Sequence, residues 1–251
     1  MRVLVILEYF GTGLIGFQKN EQGPSVQSLV EEALFKFCGE RVSVVGCGRT
    51  DAGVHAERMP AHFDIEKNQD AERIRAALNF YLRHSPVAVL EAREVPEGFH
   101  ARFSATMRHY RYDVLGRRAP PKIFADRVWW VPRPLDIDRM VSESKKLIGL
   151  HDFNSFRSTE CQAKSSVKSI DEIRIEKNGD MISFYFSARS FLHHQVRNMV
   201  GTLVDIGLGK PLEMNSVLGA ISRPAAGQTA PSAGLYFVAA DYASDGSLLQ
   251  T

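Results

Sequence analysis

Apolar positions follow two periods along this chain, and the switch between them marks its elements. Val3-Leu4-Val5-Ile6-Leu7 is an unbroken apolar run and predicts a buried strand over 3–10. After Ser25, the residues Val26, Leu29, Val30, Ala33, Leu34 and Phe37 recur at helical spacing, and Gly39 marks the stop. Val42 to Val45 predicts a strand over 41–46, and His62-Phe63-Asp64-Ile65 a short one. Ile74, Ala77, Leu78 and Tyr81 fall in phase for a helix over 71–82. Residues 87–95 alternate as a strand. Residues 107–114 alternate again, which puts Arg108, Tyr110 and Tyr112 on one face and His109, Arg111 and Asp113 on the other.

The second half repeats the mixture. Asp136 is placed to cap a helix running through Leu150, and a loop, 151–157, follows. Strands near 167–176 and 181–188 flank Asn178-Gly179, a strong hairpin signal. A long helix is expected over 191–208, with Leu192, Val196, Met199, Val200 and Leu203 on its apolar face, then a shorter one over 212–222. Ala230-Pro231-Ser232-Ala233-Gly234 leads into a last strand, 235–242. Helices and strands interspersed in this way predict an α+β protein with mixed or antiparallel sheets. Two halves of similar size, 1–105 and 106–251, would flank a central cleft.

Composition narrows this only a little. The 251 residues are 44% hydrophobic and 24% charged, as in ordinary globular domains. No stretch approaches the ~18 consecutive apolar residues of a membrane span. The N-terminal run lacks the longer apolar core and small-residue cleavage site of a signal peptide. Three widely spaced cysteines (Cys38, Cys47, Cys161) argue against a disulfide framework or zinc site and favour a reducing compartment, so a cytoplasmic protein is expected. A net charge of +2 neither demands nor excludes a nucleic-acid partner.

The richest chemistry lies in Gly48-Arg49-Thr50-Asp51-Ala52-Gly53-Val54-His55-Ala56. Glycines let a ligand approach the backbone, and a loop held by a strand end is a common seat for catalytic groups. Asp51 is a candidate nucleophile or base, and Arg49 a group that steers an anion or keeps the carboxylate ionised. The ordinary alternative is a polar turn with an ion pair. Gly11-Thr12-Gly13-Leu14-Ile15-Gly16 spells a dinucleotide fingerprint, but Pro24 breaks any helix opening on it, which counts against a nucleotide-dependent oxidoreductase. His193 and His194, adjacent on the expected helix, would not share a face and make a poor metal site. Arg197 borders an apolar stripe, so it pairs with a carboxylate or snorkels at the edge. Tyr110 lies among basic residues on a strand, where aromatic rings stack bases, although a core tyrosine is the usual case. No serine or cysteine nucleophile with a paired base stands out. By elimination the chemistry rests on one aspartate, with arginine and tyrosine as helpers and no metal.

Taken together, these stretches resemble the TruA family, the tRNA pseudouridine synthases of the anticodon stem-loop. The resemblance is carried, in the family's order, by Ser25-Val26-Gln27, the Gly48 to Ala56 loop, and Phe99-His100-Ala101-Arg102-Phe103-Ser104-Ala105. It continues through Tyr110-Arg111-Tyr112, His151-Asp152-Phe153, Phe191-Leu192-His193-His194-Gln195-Val196-Arg197-Asn198-Met199-Val200-Gly201, and Ala230-Pro231 with Gly234-Leu235. Phe17 stands where the family usually has tryptophan, and Phe10 where an aspartate commonly precedes the glycine. The resemblance implies two ferredoxin-like halves flanking a basic catalytic cleft. It implies conversion of uridine to pseudouridine at tRNA positions 38, 39 and 40 by base flipping, without cofactor or metal, in a homodimer that holds tRNA. It makes Asp51 the nucleophile, Tyr110 the residue stacked on the target uracil, Arg197 the partner of Asp51, and Arg49 the occupant of the space left by the flipped base. Arg102, Arg108, Arg111, His194 and Lys19 are further candidates for RNA contact. The rival reading is an RNA-binding protein or chaperone on the same fold without catalysis.

Overall fold

The structure is a computed structural model that describes residues 1–66 and 68–243. It divides into two compact units. The first comprises Met1–Thr106 with the chain from Tyr236 onward, and the second Met107–Leu235.

The first unit opens with β1 (Arg2–Tyr9), then α1 (Val26–Cys38), β2 (Val45–Gly46), β3 (His55–Asp64), α2 (Ala71–Leu82) and β4 (Val87–Val95). β1 is the middle strand, antiparallel to β3 on one side and β4 on the other. Being covered on both faces, it reads as a continuous apolar run. Leu4 and Ile6 pack with Val95, Phe99 and Ala101, while Val3, Val5 and Leu7 point to the opposite face and are equally buried. α1 lies against α2, and α2 against β4. α1 begins and ends where its residues dictate. Ser25 and Ser28 exchange side-chain-to-backbone hydrogen bonds of 3.0 and 2.9 Å, and Gly39 takes a left-handed φ of 76° to close the last turn on Phe35.

Two strands depart from expectation here. The strand over 41–46 shrinks to Val45–Gly46. The short strand at 62–65 is the end of a ten-residue one that starts at His55. β3 escapes the pattern because Glu57, Arg58 and Pro60 interrupt its apolar positions, although Pro60 still pairs opposite Ile6.

The second unit is built on β5 (Ala105–Leu115), with β6 (Trp129–Trp130) parallel beside it. It continues through α3 (Ile137–Ser144), β7 (Gly149–Asp152), β8 (Val167–Ile170), β9 (Glu172–Asn178), β10 (Met181–Ala188), α4 (Gln195–Gly207) and α5 (Met214–Gly219). β10 runs antiparallel between β5 and β9, and β7 pairs with β8. The β9–β10 turn sits one residue later than the dipeptide suggests. Asn178 pairs with Met181, so the loop is Gly179-Asp180, with Gly179 at φ 58°.

Asp136 caps α3 through the Arg139 amide at 2.9 Å, but the helix stops at Ser144 rather than running to Leu150. A 3-10 turn over Lys145–Leu147 ends it, and Gly149 at φ 100° turns the chain into β7. α4 likewise starts at Gln195, not 191, because His194 is left-handed at φ 63°. His193 and His194 therefore precede the helix, and their ring centroids come within 4.0 Å. α5 is shorter than the expected 212–222. Every residue of α4 except Arg197 is buried, as suits a helix through the middle of a core.

The last strand, β11 (Leu235–Tyr242), runs parallel to β3, with Tyr236 opposite His55 and Phe237 opposite Ala56. Both units mix helices with largely antiparallel sheet, each with one parallel neighbour, so the class is α+β. Among the described residues no helix is long and apolar enough to cross a membrane.

Candidate active site

Asp51 opens a tight turn. The Val54 amide donates to the Asp51 carbonyl at 3.2 Å, and Gly53 takes φ 78°, the glycine position of a type II turn. Asp51 itself is half-buried, and Thr50 beside it is 8% exposed. The turn is clamped from several sides. The Thr50 hydroxyl lies 2.9 Å from the Tyr9 hydroxyl, the Phe17 amide donates to the Thr50 carbonyl at 3.1 Å, and the Cys47 amide donates to the Pro60 carbonyl at 2.8 Å. His55, 2% exposed at the start of β3, accepts at Nδ1 from the Gly11 amide at 2.9 Å. A neutral His55 therefore carries its proton on Nε2. Its ring stacks on Phe10 at 4.8 Å and 16°, and meets Tyr236 at 4.8 Å.

The glycines of the apparent dinucleotide fingerprint serve this turn. A Cβ on Gly11 would lie 2.1 Å from the Val54 carbonyl oxygen, and one on Gly16 would lie 2.4 Å from that of Thr50. Gly16 also sits at φ 105°, where a side chain is strained in any case. The 11–16 loop is thus the inner wall of the Asp51 turn, and α1 opens only at Val26.

In the second unit, Tyr110 lies half-buried on β5 opposite Phe186, its ring edge-on to Phe191 at 5.1 Å. Tyr112, expected on the same face, is fully buried. Its hydroxyl donates to the Pro231 carbonyl at 2.7 Å, and burial pushes its phenol pKa well up. Arg197 is half-buried and does not stand alone. Its Nε donates to the Ala230 carbonyl at 2.8 Å while the Ala230 amide donates to the Arg197 carbonyl at 3.1 Å.

The 227–230 segment that receives Arg197 is itself pinned to α4. A Cβ on Gly201 would lie 1.8 Å from the Gln228 carbonyl oxygen. Asp205, 1% exposed, accepts from the Gln228 amide and side chain at 3.2 and 3.0 Å and pairs with Lys210 at 2.9 Å. The Asn198 carbonyl oxygen of the side chain accepts from Thr229 at 2.7 Å and from Arg223 at 3.1 Å.

Comparison of the sequence with known proteins decides what these elements belong to. Residues 5–104 and 144–243 match the family model described as tRNA pseudouridine synthase. The chain belongs to the tRNA pseudouridine synthase family. It is 49% identical over 240 residues to tRNA pseudouridine synthase A of Rhodospirillum rubrum, covering 95% of this chain and 86% of that one. It is 46% identical over 247 residues to the protein of that name from Paramagnetospirillum magneticum, covering 98% and 96%. With the Rhodopseudomonas palustris protein of that name it shares 49% over 243 residues, covering 96% and 99%. This is an enzyme, an isomerase of tRNA uridine. Asp51 and Arg197 fall within the matched residues, whereas Tyr110 falls between the two matched segments.

The remaining candidates lie in varied surroundings. Arg49 is exposed two residues before Asp51. Lys19 is engaged with Glu31 at 2.6 Å. Arg102 is exposed and lies over the ring of Phe103 at 5.7 Å. Arg108 donates to the Arg189 carbonyl at 2.7 Å, and Arg111 pairs with buried Asp113 at 3.0 Å. His194 forms the left-handed step into α4. Sequence reasoning gave no role to Tyr9, His55 or Asp205. His55 was visible within the quoted loop, but nothing local signalled its bond to Gly11.

Proposed function

We propose that this synthase isomerises uridine to pseudouridine in the anticodon stem-loop of tRNA, at positions 38, 39 and 40, with Asp51 as the nucleophile on a flipped-out base. The observation that carries the reading is the Asp51 turn. A half-buried carboxylate heads a turn fixed by Phe17, Tyr9 and the two glycines, which is the preorganisation a nucleophile needs.

The reaction breaks the C1′–N1 bond, turns the freed uracil and forms a C1′–C5 bond. The proton leaves C5 and N1 gains one, so the conversion is redox-neutral and asks for no electron carrier or external energy source. Asp51 adds to the base at C6 or assists departure at C1′. The target base must leave its stack, which costs a few kcal/mol and least in a loop or at a stem end. Tyr110, backed edge-on by Phe191, is the ring proposed to stack on the uracil. Arg49, exposed beside the turn, is proposed to fill the space the base vacates, and Arg197 to supply the fixed cation. We further propose a homodimer working in the cytoplasm without cofactor.

Mapping tests the substrate. Unmodified tRNA transcript is incubated with the protein, and pseudouridine is located by carbodiimide labelling and primer extension. Stops confined to the 3′ side of the anticodon stem-loop are expected. Stops elsewhere would overturn the assigned positions, and tRNA binding with no stops at all would favour an RNA-binding protein without chemistry.

A further inference from the structure

Residues 116–134 join β5 to α3 and lie outside the segments matched by the family model. They hold five cations (Arg117, Arg118, Lys122, Arg127, Arg133) against one carboxylate, Asp126, in a chain that is otherwise nearly neutral. The segment is tied at its base. The Gly116 amide donates to the Asp180 carbonyl at 2.8 Å, the Val131 amide to Leu115 at 2.9 Å, and the Trp130 indole to the Arg117 carbonyl at 2.8 Å. At its tip, two turns (Ala125 amide to Lys122, Arg127 amide to Phe124) raise Ile123 to 85% exposure and Phe124 to 40%. Trp130, on β6 of the same segment, is 37% exposed.

Exposed apolar side chains set among cations, on a loop anchored to a sheet, combine the two terms of single-stranded and loop RNA binding. Cations take phosphates, and rings take base or sugar faces. A second copy of the same loop is a poorer fit, because a self-complementary contact would set like charges face to face. We propose that the 116–134 loop is a tRNA-holding surface that acts in binding and not in the chemical step. It rests on tRNA being the substrate.

The test compares wild type with Arg118→Ala/Lys122→Ala/Arg133→Ala and with Ile123→Ser/Phe124→Ser. Filter binding to unmodified tRNA transcript is measured from about 50 to 300 mM salt, with kcat at saturating tRNA and sedimentation alongside. Each phosphate contact contributes about 0.7–0.9 to the slope of log K against log salt. The triple variant is expected to lose about 2 from that slope and to bind at least tenfold more weakly near 0.15 M salt, with kcat kept within about twofold. Arg118→Lys/Lys122→Arg/Arg133→Lys should keep the slope, and the Ile123/Phe124 variant should weaken binding with the slope unchanged. Unchanged affinity and slope in the triple variant, on a wild type that binds and converts tRNA, would overturn this inference alone. A changed sedimentation coefficient with an unchanged slope would do the same and assign the loop to a second copy. A wild type that does not bind tRNA would overturn the functional reading and this inference with it.

Discussion

Arg197 and Ala230 hold each other by two reciprocal hydrogen bonds, Nε to carbonyl at 2.8 Å and amide to carbonyl at 3.1 Å. The one residue of α4 that is not buried is therefore locked to a segment that Gly201, Asp205 and Asn198 press against the same helix. Lysine offers no counterpart to Nε and no planar fork. Arg197→Lys is expected to lower kcat at least a hundredfold while tRNA affinity changes only a few-fold. Single-turnover pseudouridine formation and filter binding check this. A variant within threefold of wild type would show that any cation suffices.

Asp205 acts one step further back. Removing it takes the acceptor from the Gln228 amide and side chain and from Lys210, and because both residues reach solvent the loss is about 1 kcal/mol. Asp205→Ala should lower the melting temperature and kcat together, and Asp205→Asn, which keeps an acceptor, should recover part of both. Wild-type melting in Asp205→Ala would mean that the 227–230 segment is held without it.

Gly16→Ala tests the wall behind the Asp51 turn. The new methyl meets the Thr50 carbonyl at 2.4 Å from a backbone at φ 105°, so a strain of about 1–3 kcal/mol is expected, together with a displaced turn. The measurements are thermal unfolding and kcat. Gly13→Ala is the control. Gly13 has the same sign of φ but open space around its Cβ, so that variant should lose stability with little loss of kcat.

Acid should loosen the first unit through a histidine pair. His62 and His100 lie 4.8 Å apart, and burial is the main cause that lowers the pKa of each below the ordinary imidazole value. The unfolded chain binds these protons at a higher pH than the folded one. Stability from this source is therefore complete above about pH 6.5 and declines as pH falls toward the depressed folded values. Melting temperature measured from pH 7.5 to 5 should fall, and should fall less in His100→Gln. Equal slopes in the two proteins would remove the pair as a cause.

Sequence pattern located the elements whose signals are local. The Ser25 cap, the Gly39 stop, the helix over 71–82 and the strand over 235–242 all stand where residues alone put them, because caps and periodicity act within a few residues. Errors arose where a single backbone step decides. His194 in the left-handed region cuts the expected helix at its start, and tightening into a 3-10 turn after Ser144 ends the preceding one. The purpose of Gly11 and Gly16 was not readable in order along the chain, since the carbonyls they admit lie some forty residues away, a distance no local motif encodes. For the site, Asp51 stood out by its loop, whereas His55 and Asp205 act through bonds to backbone and loop groups that only folding brings near.

The central claim is that Asp51 is the nucleophile, and its most direct test replaces one oxygen. tRNA transcript labelled with tritium at uridine C5 is mixed with excess wild type or Asp51→Asn, and tritium release is followed through a single turnover while filter binding records affinity. Wild type should release label and form pseudouridine, and Asp51→Asn should release none above background while its tRNA affinity stays within a few-fold. Release by Asp51→Asn at a substantial fraction of the wild-type rate would contradict the account.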